Sequence, residues 1–169
     1  WNAENGMSYT FREDGLGHLK DASNKNSTAV FLYELEGENL SIWRKNWRKE
    51  MLFQDGTLKE KESGQTFVKG DLLEEIPEQE TDAPEELLGT WIVYYGWSSI
   101  AYTFEDGGIG YRVDESEEQE GEPFRFMYEI EGGKVILYEQ DGEEELLYQN
   151  GVLEFEDGLG YDEFRKISQ

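Results

Sequence analysis

The chain has 169 residues, no cysteine and a net charge of −24, and aromatic residues make up 14% of it. The charge argues against nucleic acid as a partner, because binding phosphates requires a basic surface. The lack of cysteine excludes disulfides, thiol nucleophiles and cysteine-bound metals. No apolar run approaches the length of a membrane span, so we expect a chain that does not cross the membrane.

The first half consists of short segments of alternating character, separated by turns that contain glycine. Met7, Tyr9 and Phe11 alternate with small polar residues, a period of two that is typical of a half-buried strand. Turns then recur about every 8–12 residues, which indicates an antiparallel meander. Further strands are predicted at 18–20, 30–35, 40–44, 47–53, 57–61 and 66–69.

Residues 71–86 differ from the segments on either side. They contain eight acidic residues, none basic, and the prolines Pro77 and Pro84. We interpret them as a partly extended acidic linker. Its end, residues 84–89, has the proline, acidic residues and final glycine of a single helical turn.

The second half repeats the pattern of the first. Tyr-Thr-Phe stands at 9–11 and at 102–104, and Phe-Leu-Tyr-Glu-Leu-Glu-Gly at 31–37 matches Phe-Met-Tyr-Glu-Ile-Glu-Gly at 126–132. Matches in this order across a whole module indicate a duplication. The sequence therefore predicts an all-β chain of two tandem small antiparallel barrels, each an up-and-down meander, at 1–70 and 87–169, joined by the linker at 71–86.

Gly89-Thr90-Trp91, followed by Tyr-x-Phe-x-x-x-Gly-x-Gly at 102–110, resembles the opening of lipocalin-like barrels. The whole series of aromatics and turn glycines is similar to the small lipocalin-like domains of exported bacterial proteins and lipoproteins, most of which have no known function. The resemblance implies an extracellular or cell-surface location. It also implies residues upstream of Trp1 that carry an export signal and a possible lipid anchor.

The same resemblance implies a structural role for several residues. In lipocalin-like barrels the tryptophan of the first strand packs at the closed end, beneath a basic side chain from the end of the chain. Here Trp91 would be covered by Arg165 or Lys166, and Trp1 by Lys69. A cation over an indole ring contributes about 0.5–2 kcal/mol. The modules are, however, about half as long as a ligand-carrying lipocalin.

The two modules differ in charge. Residues 1–70 carry 11 acidic and 10 basic side chains, whereas residues 87–169 carry 20 and five. The contrast is sharpest at one equivalent hairpin, where residues 43–50 hold four basic residues and residues 138–145 hold five acidic ones. Either both hairpins are solvated tips that diverged, or the basic one binds an acidic surface of its own chain, of a second copy or of another protein, and self-association is then salt-sensitive. The candidate partner-binding residues are Trp43, Arg44, Lys45, Trp47, Arg48 and Lys49, because tryptophan and arginine are enriched at binding hot spots.

Particular residues bear on three other functions. A carrier for a small hydrophobic ligand would line one barrel with Tyr102, Phe104, Phe126 and Tyr128. The acidic loop at 114–122 lacks the spacing of a calcium-binding EF-hand loop and reads as a solvated loop. His18 is the single histidine, has no recognisable partner, and is expected at the surface.

We therefore predict a non-catalytic binding or interaction module with no cofactor and no metal. Its partner would be an unidentified protein, and the carrier of a small hydrophobic ligand is the alternative.

Overall fold

The computed structural model of the protein describes residues 1–21, 27–70, 83–116, 121–155 and 164–168. Over these ranges the chain is built of β-strands and turns, with no helix. The described part accordingly holds no helix of the length and apolarity needed to cross a membrane. Contacts between Cα atoms divide the chain into two compact units, Trp1–Pro77 (unit 1) and Glu78–Gln169 (unit 2).

Unit 1 is a single antiparallel sheet in which every strand pairs with the next one in the sequence. The edges of this sheet are joined through Asn2, which bridges Val68 and Ser8. The sheet therefore nearly closes into a barrel. Its seven strands are β1 Met7–Phe11, β2 Leu16–Asp21, β3 Ser27–Glu36, β4 Asn39–Arg44, β5 Trp47–Gln54, β6 Thr57–Glu60 and β7 Thr66–Val68.

Unit 2 is built in the same way, with one strand more. Its last strand, β15, pairs with its first, β8. The sheet therefore stays open only between β14 and β15. Near the remaining gap the Phe164 amide donates to the Leu153 carbonyl at 3.1 Å. The eight strands are β8 Gly89–Tyr95, β9 Ser98–Glu105, β10 Ile109–Ser116, β11 Phe124–Glu131, β12 Lys134–Tyr138, β13 Glu143–Gln149, β14 Val152–Phe155 and β15 Arg165–Ser168.

The predicted fold class is confirmed: the chain is all-β, with two tandem antiparallel sheets that each nearly close. Strand residues at even spacing point into each barrel, where aromatic rings dominate the core. In unit 1 these include Tyr9, Phe31 and Phe67, and in unit 2 Phe104 and Phe126. Burying such rings supplies much of the hydrophobic stabilisation available to a module of this size.

One hairpin turn has similar backbone φ angles in the two units. Asp55 and Gly56 in unit 1, and Asn150 and Gly151 in unit 2, all have positive φ. Two adjacent positive φ angles are the mark of a type I′ turn, whose twist matches that of the flanking strands. The turn thus fixes the pairing of β5 with β6 and of β13 with β14 in the same register.

The predicted linker falls largely outside the described residues, at 71–82. At its end the Leu87 amide donates to the Pro84 carbonyl at 2.8 Å, which forms a single hydrogen-bonded turn at the place where the sequence predicts one helical turn. Leu87 is fully buried in the core of unit 2. Its carbonyl accepts a hydrogen bond from Trp91 Nε1 at 2.7 Å, so this turn forms part of unit 2.

Candidate interaction site

The hairpin between β8 and β9 ends in Tyr94, Tyr95, Gly96 and Trp97, which we call the aromatic tip. Gly96 has a φ of 58°, a conformation that glycine adopts without steric cost. Trp97 is 81% exposed and Tyr94 is 63% exposed. Large exposed rings beside one another are unusual on a water-facing turn and are typical of interaction sites.

Tyr95 anchors the tip to the barrel. Val93 points into the core of unit 2, and because side chains alternate along a strand, Tyr95 points inward as well. Its ring lies 6.1 Å from that of Phe155, which in turn lies 4.8 Å from Phe164. Tyr95, which is 37% exposed, thus joins the tip to a row of aromatic contacts inside the barrel, while Tyr94 and Trp97 project outward.

Inside the same end of the barrel lies a charged cluster, formed by Tyr102, Arg112, Asp114, Glu139 and Glu144. Arg112 Nη1 donates to both carboxylate oxygens of Glu139 at 2.9 Å. It lies 3.5 Å from Glu144 Oε2, and Arg112 Nε lies 3.2 Å from Asp114 Oδ1. The Tyr102 hydroxyl donates to Glu144 Oε2 at 2.8 Å. Arg112 also lies over the ring of Phe124, 5.6 Å from its centroid.

The cluster shifts the pKa values of its members. Burial raises the pKa of Tyr102, and the charge of Glu144 raises it further. Burial also raises the pKa of Glu139, a shift that Arg112 only partly offsets. For Arg112, burial by itself lowers the pKa, but Glu139 and the other carboxylates outweigh it and raise the pKa above its usual value. One permanent cation thus faces three carboxylates, so this end of the barrel attracts positive charge.

Unit 1 carries the opposite charge at the equivalent position. Lys49 pairs with Ile42 in the sheet as Glu144 pairs with Leu137. Its ammonium forms an ion pair with the buried Glu60. Ser63 Oγ donates to the same carboxylate at 2.6 Å, so Glu60 is held by two donors.

The predicted basic hairpin of unit 1 is divided between the two faces of its sheet. Trp47 packs against the core, and Lys49 turns inward to Glu60, 5.5 Å from the Trp47 centroid. Trp43 lies on the opposite face and is only 4% exposed. Of the others, Arg48 is exposed, whereas Arg44 and Lys45 are partly buried. The six residues do not form one exposed surface, because strand residues alternate between faces.

The four residues proposed to line a ligand cavity fill the barrel of unit 2. Phe104 lies 5.6 Å from Phe126 and 5.1 Å from Tyr128, both edge to face. Tyr102 lies 6.1 Å from Phe126. All four are almost completely buried, and their rings occupy the space that a ligand would take.

The residues expected to close the barrels are placed differently in the two units. Lys166 Nζ lies 5.7 Å from the ring centroid of Trp91 and donates to the Glu86 carbonyl at 2.7 Å. Arg165 is exposed. In unit 1, Trp1 packs edge to face on Phe53 at 5.5 Å, and Lys69 is exposed. The basic side chain over a tryptophan is thus present at Trp91.

His18 is buried on β2, where it pairs with Val30 and Thr10, so the expectation of a surface histidine is wrong. Asp114 belongs to strand β10 and to the charged cluster, and of the supposed loop the residues 117–120 lie outside the described part. Within the described ranges, no group of three His, Asp or Glu side chains is arranged to hold a metal ion.

Sequence reasoning missed the aromatic tip and the charged cluster. The signal for the tip was Tyr-Tyr-Gly-Trp at 94–97, since a hairpin turn normally carries polar residues. The signal for the cluster was the alternation of side chains between the two faces of a strand. Arg112 lies two residues after the inward-facing Gly110, and Glu139 lies two residues after the buried Leu137. Even spacing places Arg112 on the inner face of β10, and Glu139 continues the alternation one residue past the end of β12.

Comparison with protein-family models, with curated proteins and with solved structures found no match for this chain.

Proposed function

We propose that this chain is a non-catalytic binding protein, of the exported or surface-tethered bacterial type, whose contact surface is the aromatic tip. The observation that carries the proposal is the exposure of Trp97, 81%, beside that of Tyr94, 63%. Tryptophan and tyrosine are enriched at binding hot spots because they bury a large area and lose little conformational entropy. The location rests on the sequence resemblance alone.

The form of the tip suits recognition by a preformed surface. Because Tyr95 is packed on Phe155, the hairpin is held from beneath, and less conformational entropy is lost when a partner binds. The rings are convex and project from the protein, which fits a macromolecular partner better than a small enclosed ligand. The filled interior of unit 2 gives the carrier function no comparable support.

The basic hairpin remains a second surface within the same proposed function, with a reduced set of residues. Trp43 is buried on the outer face of the sheet and Lys49 is paired with Glu60 inside the barrel, so the contribution of the hairpin would come from Arg44, Lys45 and Arg48. Substituting these three by glutamate should abolish salt-sensitive self-association in sedimentation if that surface acts. Unchanged sedimentation would remove it from the proposal.

Site-specific photo-crosslinking tests the aromatic tip. Benzoylphenylalanine is placed at position 97 of the full chain and, as a control, at position 35, where Leu35 is 50% exposed on unit 1. With cell envelopes of the source organism, we expect discrete adducts from position 97 that Tyr94→Ala reduces. The same adducts from both positions, or none from position 97, would contradict the proposed function.

A further inference from the structure

The surroundings of the aromatic tip limit the chemistry of its partner. Tyr94 pairs with Ser99 on β9, and Ser99 pairs with Glu115 on β10. Tyr94 and Glu115 therefore project from the same face of the sheet, two strand spacings or about 10 Å apart. The side chain of Glu115 is exposed, as are those of the neighbouring Asp114 and Glu122.

Charge at this end of unit 2 favours a cation. Residues 87–169 carry 20 acidic and five basic side chains. Arg112 is already engaged by Glu139 and Asp114. Arg165, which pairs with Ile92 on β8, is exposed and is outnumbered by the exposed carboxylates of Asp114, Glu115 and Glu122. An anionic partner such as nucleic acid or an acidic lipid would be repelled, and a neutral glycan would gain nothing from the field.

The protein itself shows how this environment holds a cation. The guanidinium of Arg112 lies 5.6 Å from the Phe124 ring centroid while it contacts carboxylates. The combination of an aromatic face and a carboxylate suits lysine and arginine side chains, since the ring quadrupole and the negative charge both attract them. Tyr94 and Glu115 repeat this combination on the exposed face.

We propose that the aromatic tip binds a cationic segment of a partner polypeptide, in which a lysine or arginine side chain lies over Trp97 or Tyr94 and pairs with Glu115. The inference rests on the proposed function and specifies its partner. Apolar side chains of the same segment would pack against the edges of the two rings. Long-range attraction to unit 2 would speed the encounter and make it salt-dependent.

Titration of the full chain with short peptides tests this inference. The probes are the N-acetylated, C-amidated octapeptides (Gly-Arg)4 and (Gly-Gln)4, followed by tryptophan fluorescence and calorimetry. We expect saturable binding of (Gly-Arg)4 alone, weakened about tenfold or more between 50 and 300 mM salt, as screening of several ion contacts predicts. Equal binding of (Gly-Gln)4 would overturn the proposal.

Variants show whether binding occurs at the tip. The double variant Trp97→Ala and Tyr94→Ala should weaken binding of (Gly-Arg)4 by about tenfold, and Glu115→Gln by about threefold, as expected for exposed cation–π and ion-pair contacts. The control Glu131→Gln removes an exposed carboxylate from the hairpin at the opposite end of unit 2 and should have a smaller effect. If the tip variants bind as the wild type does, the attraction is diffuse and the site is wrong.

Two further experiments test the alternative partners of the aromatic tip. Titration with chitohexaose tests a neutral glycan, and sedimentation of wild type and Trp97→Ala tests a second copy. Tip-dependent binding of the glycan, or self-association that Trp97→Ala abolishes, would overturn the cationic segment in favour of that occupant. Tip-dependent crosslinks without tip-dependent binding of (Gly-Arg)4 would leave the proposed function in place and remove only its partner class.

Discussion

Gly110 lies directly beneath the ring of Phe126, its partner on the neighbouring strand. A Cβ atom at position 110 would stand 2.5 Å from Cζ and 2.6 Å from Cε2 of that ring. Gly17 and Phe31 have the same pairing and the same contact in unit 1. An aromatic ring thus covers a glycine across the strands in both units, an arrangement that helps to pin the register of a sheet.

Gly110→Ala should therefore destabilise unit 2. The new methyl group would meet the Phe126 ring and the Thr103 carbonyl, and overpacking of this kind costs about 1–3 kcal/mol. Urea unfolding of the full chain measures the change. Gly142→Ala is the control, because a Cβ there has open space around it and should leave the midpoint unchanged. Equal midpoints for both variants would mean that the ring moves aside freely.

Much of the fold could be predicted from the sequence, because its determinants are local. Alternation of Met7, Tyr9 and Phe11 indicates a strand wherever it occurs. Asp55-Gly56 and Asn150-Gly151 are turn sequences whose positive φ angles follow from their residue types. Because the module is duplicated, the same strand and turn patterns occur at equivalent positions in both halves, and each supports the prediction made from the other.

The site could be predicted much less well, since it depends on which face a side chain occupies once the sheet has curled. The residues of the basic hairpin are adjacent in sequence, and their adjacency alone predicts one surface. Lys49 and Trp43 in fact point to opposite faces, and only closure of the barrel brings Lys49 to Glu60. Likewise, Arg112 meets Glu139 across 27 residues of chain, a distance over which composition alone carries no pairing information.

Two tryptophans of unit 2 should respond oppositely to truncation. Trp91 is 3% exposed in the core, so Trp91→Ala should cost about 3–5 kcal/mol of unfolding free energy. Trp97→Ala removes a ring that is mostly in water and should change it by less than about 0.5 kcal/mol. Chemical denaturation of both variants gives the comparison. A large loss for Trp97→Ala would mean that this ring supports the fold, and its use as a binding surface would then be doubtful.

Unit 1 should lose stability in acid through Glu60. Burial by itself raises the pKa of Glu60, but hydrogen bonds from Lys49 and Ser63 and the charge of Lys49 lower it below the ordinary 4.5. A depressed pKa gives stability that is present above the unfolded value and is lost as pH falls through the folded one. Glu60→Gln should therefore be less stable than wild type at pH 7, by about 3 kcal/mol because Lys49 loses its charged partner.

The difference in unfolding free energy between wild type and Glu60→Gln should narrow as the pH falls from 4.5 through the lowered pKa of Glu60, because the wild-type carboxylate then also takes up a proton. Thermal unfolding across this range, followed by near-ultraviolet circular dichroism, measures it. Glu62→Gln, which changes an exposed neighbour, is the matched control and should follow the wild type. If the difference in unfolding free energy stays constant with pH, the glutamine at position 60 destabilises unit 1 through its packing and not through the loss of charge.

The charged cluster of unit 2 should show the opposite pH response. The folded pKa of Glu139 is raised above its ordinary 4.5, chiefly by burial. A raised carboxyl pKa means that the folded state holds the proton more tightly, so the contribution of Glu139 to stability is greatest below pH 4.5 and is lost as pH rises through the folded pKa. Arg112 limits that loss, because its charge lowers the pKa of Glu139.

Arg112→Met should consequently destabilise unit 2 most at neutral pH. It leaves Glu139 and Glu144 facing each other without their cation, which costs about 2–4 kcal/mol. This loss of unfolding free energy should become smaller towards pH 4.5, because Glu139 becomes protonated. The double variant Arg112→Met and Glu139→Gln should be more stable at pH 7 than Arg112→Met alone. Urea midpoints at the two pH values measure both effects, with Arg125→Met, a basic residue of β11 outside the cluster, as the control. A deficit independent of pH would mean that Arg112 acts through its packing on Phe124 and not through its charge.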